Sequence, residues 1–325
     1  MTHNFTTEMR YDELVLYTLI HAGTDPGDLQ FQKLLDKTED EPLKRTYRVV
    51  MTAMVLEAID REKYQNRIAD CAQFLADNQA PNGQWGYGEE IRLSERTPTK
   101  KDVATGGGGA APRAPGNSKG SGTKALPLIK IKAHGQGKMG DNSNSQYVAL
   151  GIRACVNSGI EFDPKIIALA IQWWEKSQQG DGGWAYCHEG VLGATPYASM
   201  TFGGMGALCI YRWILKQDFK KDKAVLAAGD WVTKNWTLEE NARYDKPKKW
   251  MHYNLYALER AGILLGTEKF GPHEWYPEGV DVLLRGQKED GSWAGPNDNP
   301  YSDTCFAILF LRRATKPLPK VATGR

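Results

Sequence analysis

Gln178-Gln179-Gly180-Asp181-Gly182-Gly183-Trp184 has the form Q-x-x-x-G-x-W, and the chain repeats it. Gln79-Ala80-Pro81-Asn82-Gly83-Gln84-Trp85 and Gln287-Lys288-Glu289-Asp290-Gly291-Ser292-Trp293 are the other two copies. Each follows an amphipathic run and precedes a more apolar one. The Gly two residues before the Trp supplies the positive φ that ends a helix. The indole offers one donor and a large apolar face, so the Trp is expected buried at the turn, against the next hairpin. Three copies in one chain are a repeat, and a repeat decides the architecture.

Working outward, the chain alternates two kinds of helical run. Residues 11–23, 46–59, 144–159, 197–215, 250–262 and 301–312 are apolar on almost every face. Residues 29–35, 64–79, 164–178, 223–236 and 277–287 are amphipathic, and residues 235–236 close a degenerate fourth heptapeptide. A helix apolar all round is buried on all sides, whereas one with a polar face sits outside. The prediction is an all-α protein, one α/α toroid of about six helical hairpins spanning residues 1–325, at roughly 45 residues per hairpin. Tyr17–Gly23 and Tyr256–Gly262 share Y-x-L-x-x-A-G, a second internal echo. The sixth outer helix is missing where it should precede Tyr11. Either the chain is shortened there or residues 316–325 close the ring.

Composition breaks at about residues 90–142, which hold Gly106-Gly107-Gly108-Gly109, Pro112, Pro115 and one β-prone patch at Leu128-Ile129-Lys130-Ile131. This stretch is expected to be an insertion with few contacts, either an idle surface loop or a lid. The glycine run lacks the G-x-x-x-x-G-K-[ST] setting of a phosphate loop.

Bulk properties exclude some partners. Lys+Arg 41 against Asp+Glu 39 leaves a net charge of +2, so no global field favours nucleic acid or an anionic membrane. No apolar stretch approaches the roughly 20 residues that span a bilayer; peripheral membrane contact and a protein partner stay open. Five cysteines, mostly inside apolar helices, read as buried thiols. That makes a cytoplasmic protein the default, or an exported one if a signal peptide has been removed.

The repeats resemble the squalene cyclase and protein prenyltransferase superfamily, whose signature is Q-x-x-x-G-x-W, and bacterial proteins that carry the same repeat. The resemblance covers residues 11–313 apart from the insertion. It implies a central apolar, aromatic cavity lined by the inner helices and open near their N-termini, taking an isoprenoid or another hydrophobic small molecule. The acid motif D-x-D-D of the cationic cyclases and the magnesium motif D-D-x-x-D are both absent. Prenyltransferases hold zinc with D-x-C and His; Asp303-Thr304-Cys305 and His252 stand here in reversed order. No metal and no cofactor is assigned. Cys305 reads as core and Asp303 as a helix cap.

The candidate site is the rim where the inner-helix N-termini converge, with their unpaired N–H groups. Asp303 and His252 are the candidate acid and its orienting partner. Asp12 or Glu13, Tyr47, Asn144, Gln146, Tyr197 and Tyr253 are the candidate ligand-binding residues. Plain capping explains Thr46, Ser199 and Asp303 equally well. Cys187-His188 is a weaker candidate for a reactive thiol pair. Three functions are carried forward: a cyclase-like enzyme or isoprenoid binder, a non-catalytic interaction scaffold, and a carbohydrate-active α/α barrel. Whether the chain is an enzyme is left open.

Overall fold

A computed structural model describes residues 11–88, 125–132, 140–186, 195–295 and 299–319. Six inner helices run α1 Asp12–Ala22, α3 Thr46–Asp60, α5 Asn142–Asn157, α7 Ala198–Ile214, α9 Met251–Leu265 and α11 Pro300–Leu311. Between them lie five outer helices: α2 Leu29–Asp40, α4 Gln65–Asp77, α6 Pro164–Ser177, α8 Lys223–Lys234 and α10 Trp275–Gly286. A two-residue ribbon, β1 Lys269–Phe270 with β2 His273–Glu274, precedes α10. Each inner helix packs on the next, and α11 packs on α1, so the inner ring closes. The fold is the all-α toroid that the periodicity predicts. No helix among the described residues is long and apolar enough to cross a membrane.

Burial follows the two sequence patterns. α5 is buried from Asn142 through Cys155 and α7 from Ala198 through Tyr211, on every face. The outer helix α6 buries one stripe, Ile166, Ile167, Ala170, Ile171 and Trp174, whereas α4 is buried at every residue from Cys71 to Asp77. Asp28, Asp163 and Asp222 cap α2, α6 and α8 by accepting first-turn N–H groups. Cys71, Cys155, Cys209 and Cys305 are free and buried; Cys187 and His188 lie outside the described residues.

The heptapeptides are identical joints. Indole Nε1 of Trp85, Trp184 and Trp293 donates to the carbonyl ten residues earlier, on Leu75, Trp174 and Leu283, at 2.7, 2.8 and 2.8 Å. Each acceptor lies in the last turn of an outer helix, among the carbonyls that the helix itself leaves unpaired. The Trp backbone N–H donates to a hydroxyl of the next inner helix: Ser145, Thr201 and Thr304 at 3.0, 3.1 and 3.0 Å. Gly83, Gly182 and Gly291 have φ of 93°, 93° and 81°. At Gly182 a Cβ would also sit 2.4 Å from the Ala227 carbonyl oxygen, so both backbone angle and space require glycine.

Part of the insertion belongs to the fold. Ile129 is buried and forms a parallel bridge to Phe162, and Asp77 accepts from the Lys132 N–H at 2.7 Å. Asp141 bridges to Trp85 and caps α5. The patch read as surface is therefore a brace between α4 and the approach to α6. Residues 89–124 and 133–139 lie outside the described residues.

The described part of the C-terminal segment, residues 312–319, does not stand in for an outer helix. It crosses the far end of the inner helices: Arg312 Nε donates to His21 O at 2.9 Å, and Arg153 Nη2 donates to the carbonyls of Lys316 and Pro317. The Thr315 N–H and hydroxyl both bond the carboxylate of Glu259, at 3.0 and 2.7 Å.

Two predictions follow from these contacts. Trp184→Ala should lower stability by about 3–5 kcal/mol. Trp184→Phe, which keeps most of the apolar area but strands the Trp174 carbonyl, should cost about 1–3 kcal/mol; urea denaturation reads both. Burial pushes the Glu259 carboxyl from 4.5 up to about 7, against the opposing Thr315 bonds and Arg260. The folded chain then holds a proton that the unfolded chain releases between those values. Its stabilisation is full below pH 4.5 and is lost as pH rises through 7. Between pH 4 and 8 the wild type should lose about 2–4 kcal/mol relative to Glu259→Gln, measured as the difference in unfolding free energy at each pH.

Candidate functional site at the inner-helix rim

The first two turns of α3, α5, α9 and α11 bring aromatic rings together across the ring of helices. Tyr47 on α3 lies 4.7 Å from Tyr147 on α5, centroid to centroid, and Tyr147 stacks on Tyr253 of α9 at 6.0 Å and 14°. Tyr253 meets Phe306 of α11 edge-on at 5.7 Å, and Trp250 at 6.4 Å. The belt extends outward through Tyr87, 6.5 Å from Tyr47, whose hydroxyl faces that of Tyr186 at 3.1 Å. Burial raises the Tyr47, Tyr147 and Tyr253 phenols, so they stay protonated and present hydroxyl donors and neutral π faces.

Beneath this belt sits Arg260, 3% exposed. Its guanidinium lies 4.9 Å from the Tyr147 ring and 4.3 Å from the Tyr256 ring, in cation–π range of both. Nη2 donates to Gln146 Oε1 at 2.9 Å, and Gln146 Nε2 donates to the Tyr253 hydroxyl at 2.6 Å. The opposed needs of guanidinium and phenol fix which way the Gln146 amide points. Arg260 Nη1 and the Tyr147 hydroxyl are buried without a hydrogen-bond partner. No carboxylate among the described residues forms an ion pair with Arg260. The ring interior expected to be apolar therefore carries a buried cation.

Beside the belt, His252 Nδ1 stands 3.5 Å from Asp303 Oδ1, with both side chains almost fully buried. Asp303 Oδ2 accepts the Gly295 N–H at 2.9 Å. The capping reading of Asp303 fails, because Asn299 caps α11 and Asp303 lies a turn further in. It fails likewise at Thr46, whose hydroxyl bonds Gly86 O at 2.6 Å, and at Ser199, which is bonded by the Asn241 amide. These rim residues tie inner helices to loops of neighbouring hairpins. Cys305 faces Thr18 of α1, its thiol pushed up to about 11 by burial. No cluster of three metal-ligating side chains occurs among the described residues.

The other candidates divide. Tyr47, Gln146 and Tyr253 share the belt and its polar floor. Asn144 lies a turn above Tyr147, held by its Nδ2 on Asp141 at 2.8 Å. Asp12 pairs with Lys37 between α1 and α2, and Glu13 pairs with Arg48 at 2.7 Å. Tyr197 packs on Tyr244 at 4.8 Å. Asp12, Glu13 and Tyr197 thus have these partners outside the belt. Sequence reading missed Arg260, although Glu259-Arg260 in a run that must be buried all round was the available signal. At the opposite end a cavity of about 40 Å³, lined by Tyr17, Glu57, Arg153 and Thr315, is too small for a prenyl chain.

No protein-family model and no curated protein matches the sequence. Among solved structures the chain is similar to a variant of the type II terpene cyclase MstE from Scytonema in complex with merosterolic acid A, its product. That likeness has 11% identity over 93% of this chain and 85% of the other, with a TM-score of 0.50. A second variant, in complex with the substrate geranylgeranyl dihydroxybenzoate, is 12% identical over 93% and 86% of the two chains, again at 0.50. A third, without ligand, gives 11%, 93%, 85% and 0.50. At such identity the likeness is one of fold, and the fold of this chain is that of a terpene cyclase.

Proposed function

We propose that the chain binds an isoprenoid or a related hydrophobic small molecule at the inner-helix rim, as a cyclase-like member of the Q-x-x-x-G-x-W repeat proteins. The observation that carries this reading is the aromatic belt Tyr47–Tyr147–Tyr253–Phe306, lying over a guanidinium and beside a buried acid–imidazole pair. Neutral π faces suit both a polyene chain and positive charge developing along it. Asp303, in its protonated form, would deliver a proton to a double bond at the belt, and His252 would orient and reprotonate it. The prenyl substrate of the fold neighbour supports the ligand class. Arg260 adds a preference: a buried guanidinium that forms no ion pair with a carboxylate among the described residues favours a ligand with an acidic head. A carbohydrate-active barrel needs two converging carboxylates, and Asp12 is committed to Lys37 instead.

The test uses geranylgeranyl dihydroxybenzoate, geranylgeranyl diphosphate, squalene and a cello-oligosaccharide in thermal-shift and calorimetric titrations. A prenyl probe should raise Tm, and Tyr253→Leu should weaken its binding about tenfold or more. Asp303→Asn keeps the acceptor for Gly295 and should change stability by only about 1 kcal/mol. It should leave binding intact and abolish turnover where turnover is seen. Unaltered affinity and turnover in Asp303→Asn, His252→Ala and Tyr253→Leu would remove the rim from consideration. Binding of the oligosaccharide alone would replace the isoprenoid reading.

A further inference from the structure

We infer that the far end of the ring holds a binding site for a small carboxylate-type monoanion, in the cavity between α1, α3, α5 and the C-terminal segment. The site is separate from the rim and does not rest on the isoprenoid reading. Tyr17 and His21 of α1, Glu57 of α3, Arg153 and Asn157 of α5, and Lys316 of the C-terminal segment line it.

Two groups of this lining are unmet. Arg153 is 7% exposed; its Nη2 donates to the carbonyls of Lys316 and Pro317, but its Nε is buried with no hydrogen-bond partner. His21 Nε2 is likewise buried and without a partner, while its ring meets that of Tyr17 edge-on at 4.4 Å. A donor on a buried charged group is costly to leave unpaired, and the adjoining cavity has the room an acceptor needs. The carboxylates do not supply one. Glu57 lines the same cavity without reaching Arg153; its Oε1 accepts from Asn157 Nδ2 at 3.4 Å. Among the described residues no carboxylate forms an ion pair with Arg153.

Charge decides between an anion and a cation. Arg153 and Lys316 are positive and Glu57 is negative, so one further negative charge balances the lining. Arg312, whose Nε bonds His21 O, adds to the positive side. Burial, with Lys316 and Arg312 close by, pushes the His21 imidazole from 6.5 down to about 4. The imidazole is therefore neutral near pH 7, in a corner where positive charge prevails. Helix ends oppose an anion here, since α1, α3 and α5 point their C-termini this way. That opposition is reduced by capping. The N–H groups of Gly23 and Thr24 meet the carbonyls of Ile20 and Leu19, and the Ser158 N–H meets those of Ala154 and Cys155.

Volume sets the size of the ligand. About 40 Å³ holds roughly three water-sized groups at about 10–15 Å³ each, which suits an anion of roughly three or four heavy atoms. Formate, acetate and bicarbonate have that build. One oxygen would accept from Arg153 Nε and another would meet His21, with Lys316 screening the charge from the solvent side. The bound anion would tie the C-terminal segment to α1, α3 and α5.

The experiment titrates the full chain near neutral pH with sodium formate, acetate and bicarbonate, holding ionic strength constant with sodium gluconate, whose anion is too large to enter. Binding is read from the His21 and Tyr17 ring signals in carbon–proton NMR, assigned with His21→Gln and Tyr17→Phe. Saturation is expected, with a dissociation constant of about 0.1–10 mM, the range open to so few atoms. Tm should rise with the same anions and not with benzoate. Lys316→Glu, at an exposed position, should weaken acetate about fivefold or more, and Glu57→Gln, which removes a like charge, should tighten it about threefold. Arg153→Gln should abolish binding. Because Arg153 also holds the C-terminal segment, the opposed effects at Lys316 and Glu57 decide the matter if that variant unfolds. Signals that drift without saturating, that respond equally to benzoate, or that are indifferent to Lys316→Glu and Glu57→Gln overturn the proposal. Saturation seen only at the rim tyrosines would place the anion at Arg260 and also overturn it.

Discussion

Three of the hairpin joints in this toroid depend on one hydrogen bond, the indole N–H of a heptapeptide Trp on an orphan carbonyl of the helix before it. A helix end buried in a ring of helices has no water to satisfy its last carbonyls, and each unsatisfied group would cost about 1–3 kcal/mol. The indole answers with one donor on a large apolar body, so it caps the helix while filling the space between hairpins. Its own backbone N–H is taken by a Ser or Thr of the next inner helix. The Trp is thus held at both ends, and the angle between successive hairpins is set by it.

That solution constrains the interior. Inner helices buried on all sides should carry no charge, yet α9 buries Glu259 and Arg260 side by side and α5 buries Arg153. Each is accommodated differently. Glu259 is met by Thr315 of the tail and its carboxyl is pushed up to about 7 by burial, while Arg153 donates to tail carbonyls. Both make the C-terminal segment a structural closure of the far end. Arg260 faces the other way and is met by π faces and one amide, leaving one N–H unmet. The incompletely satisfied charge lies on the side of the ring where the aromatic belt is.

The fold was legible because it is written in periodicity. The eleven α-helices among the described residues fall where apolar and amphipathic runs alternate, since full burial and half burial leave different patterns in a sequence. The rim was legible in part. Tyr47, Gln146 and Tyr253 converge because helix starts converge, but the direction of a side chain within its turn is set by packing. Asp12 and Asp303 are both acids in the first turn of inner helices; one points out to Lys37 and the other in to His252. The cap of α11 was misplaced because Asn299 and Asp303 are both good cap residues, and only the chain's path into the helix chooses between them. Ile129 read as surface because a two-residue brace carries no period.

The same joints leave the rim free to carry loops of different lengths. After each Trp the chain must reach the N-terminus of the next inner helix, and both ends of that excursion are pinned. The Asp141 N–H bonds Trp85 O at 3.0 Å and the Tyr197 N–H bonds Trp184 O at 3.1 Å, whatever lies between. Asn142 N–H then bonds Tyr186 O at 2.8 Å, linking one excursion to the next. Once the ends are fixed, doubling the length of the intervening loop costs only about 0.6 kcal/mol. Long segments can therefore be accommodated between these fixed ends without disturbing the ring. A scaffold whose stability resides in its joints is free to change the chemistry at one face, and in this chain that face is the one holding the belt, the acid and the unmet cation.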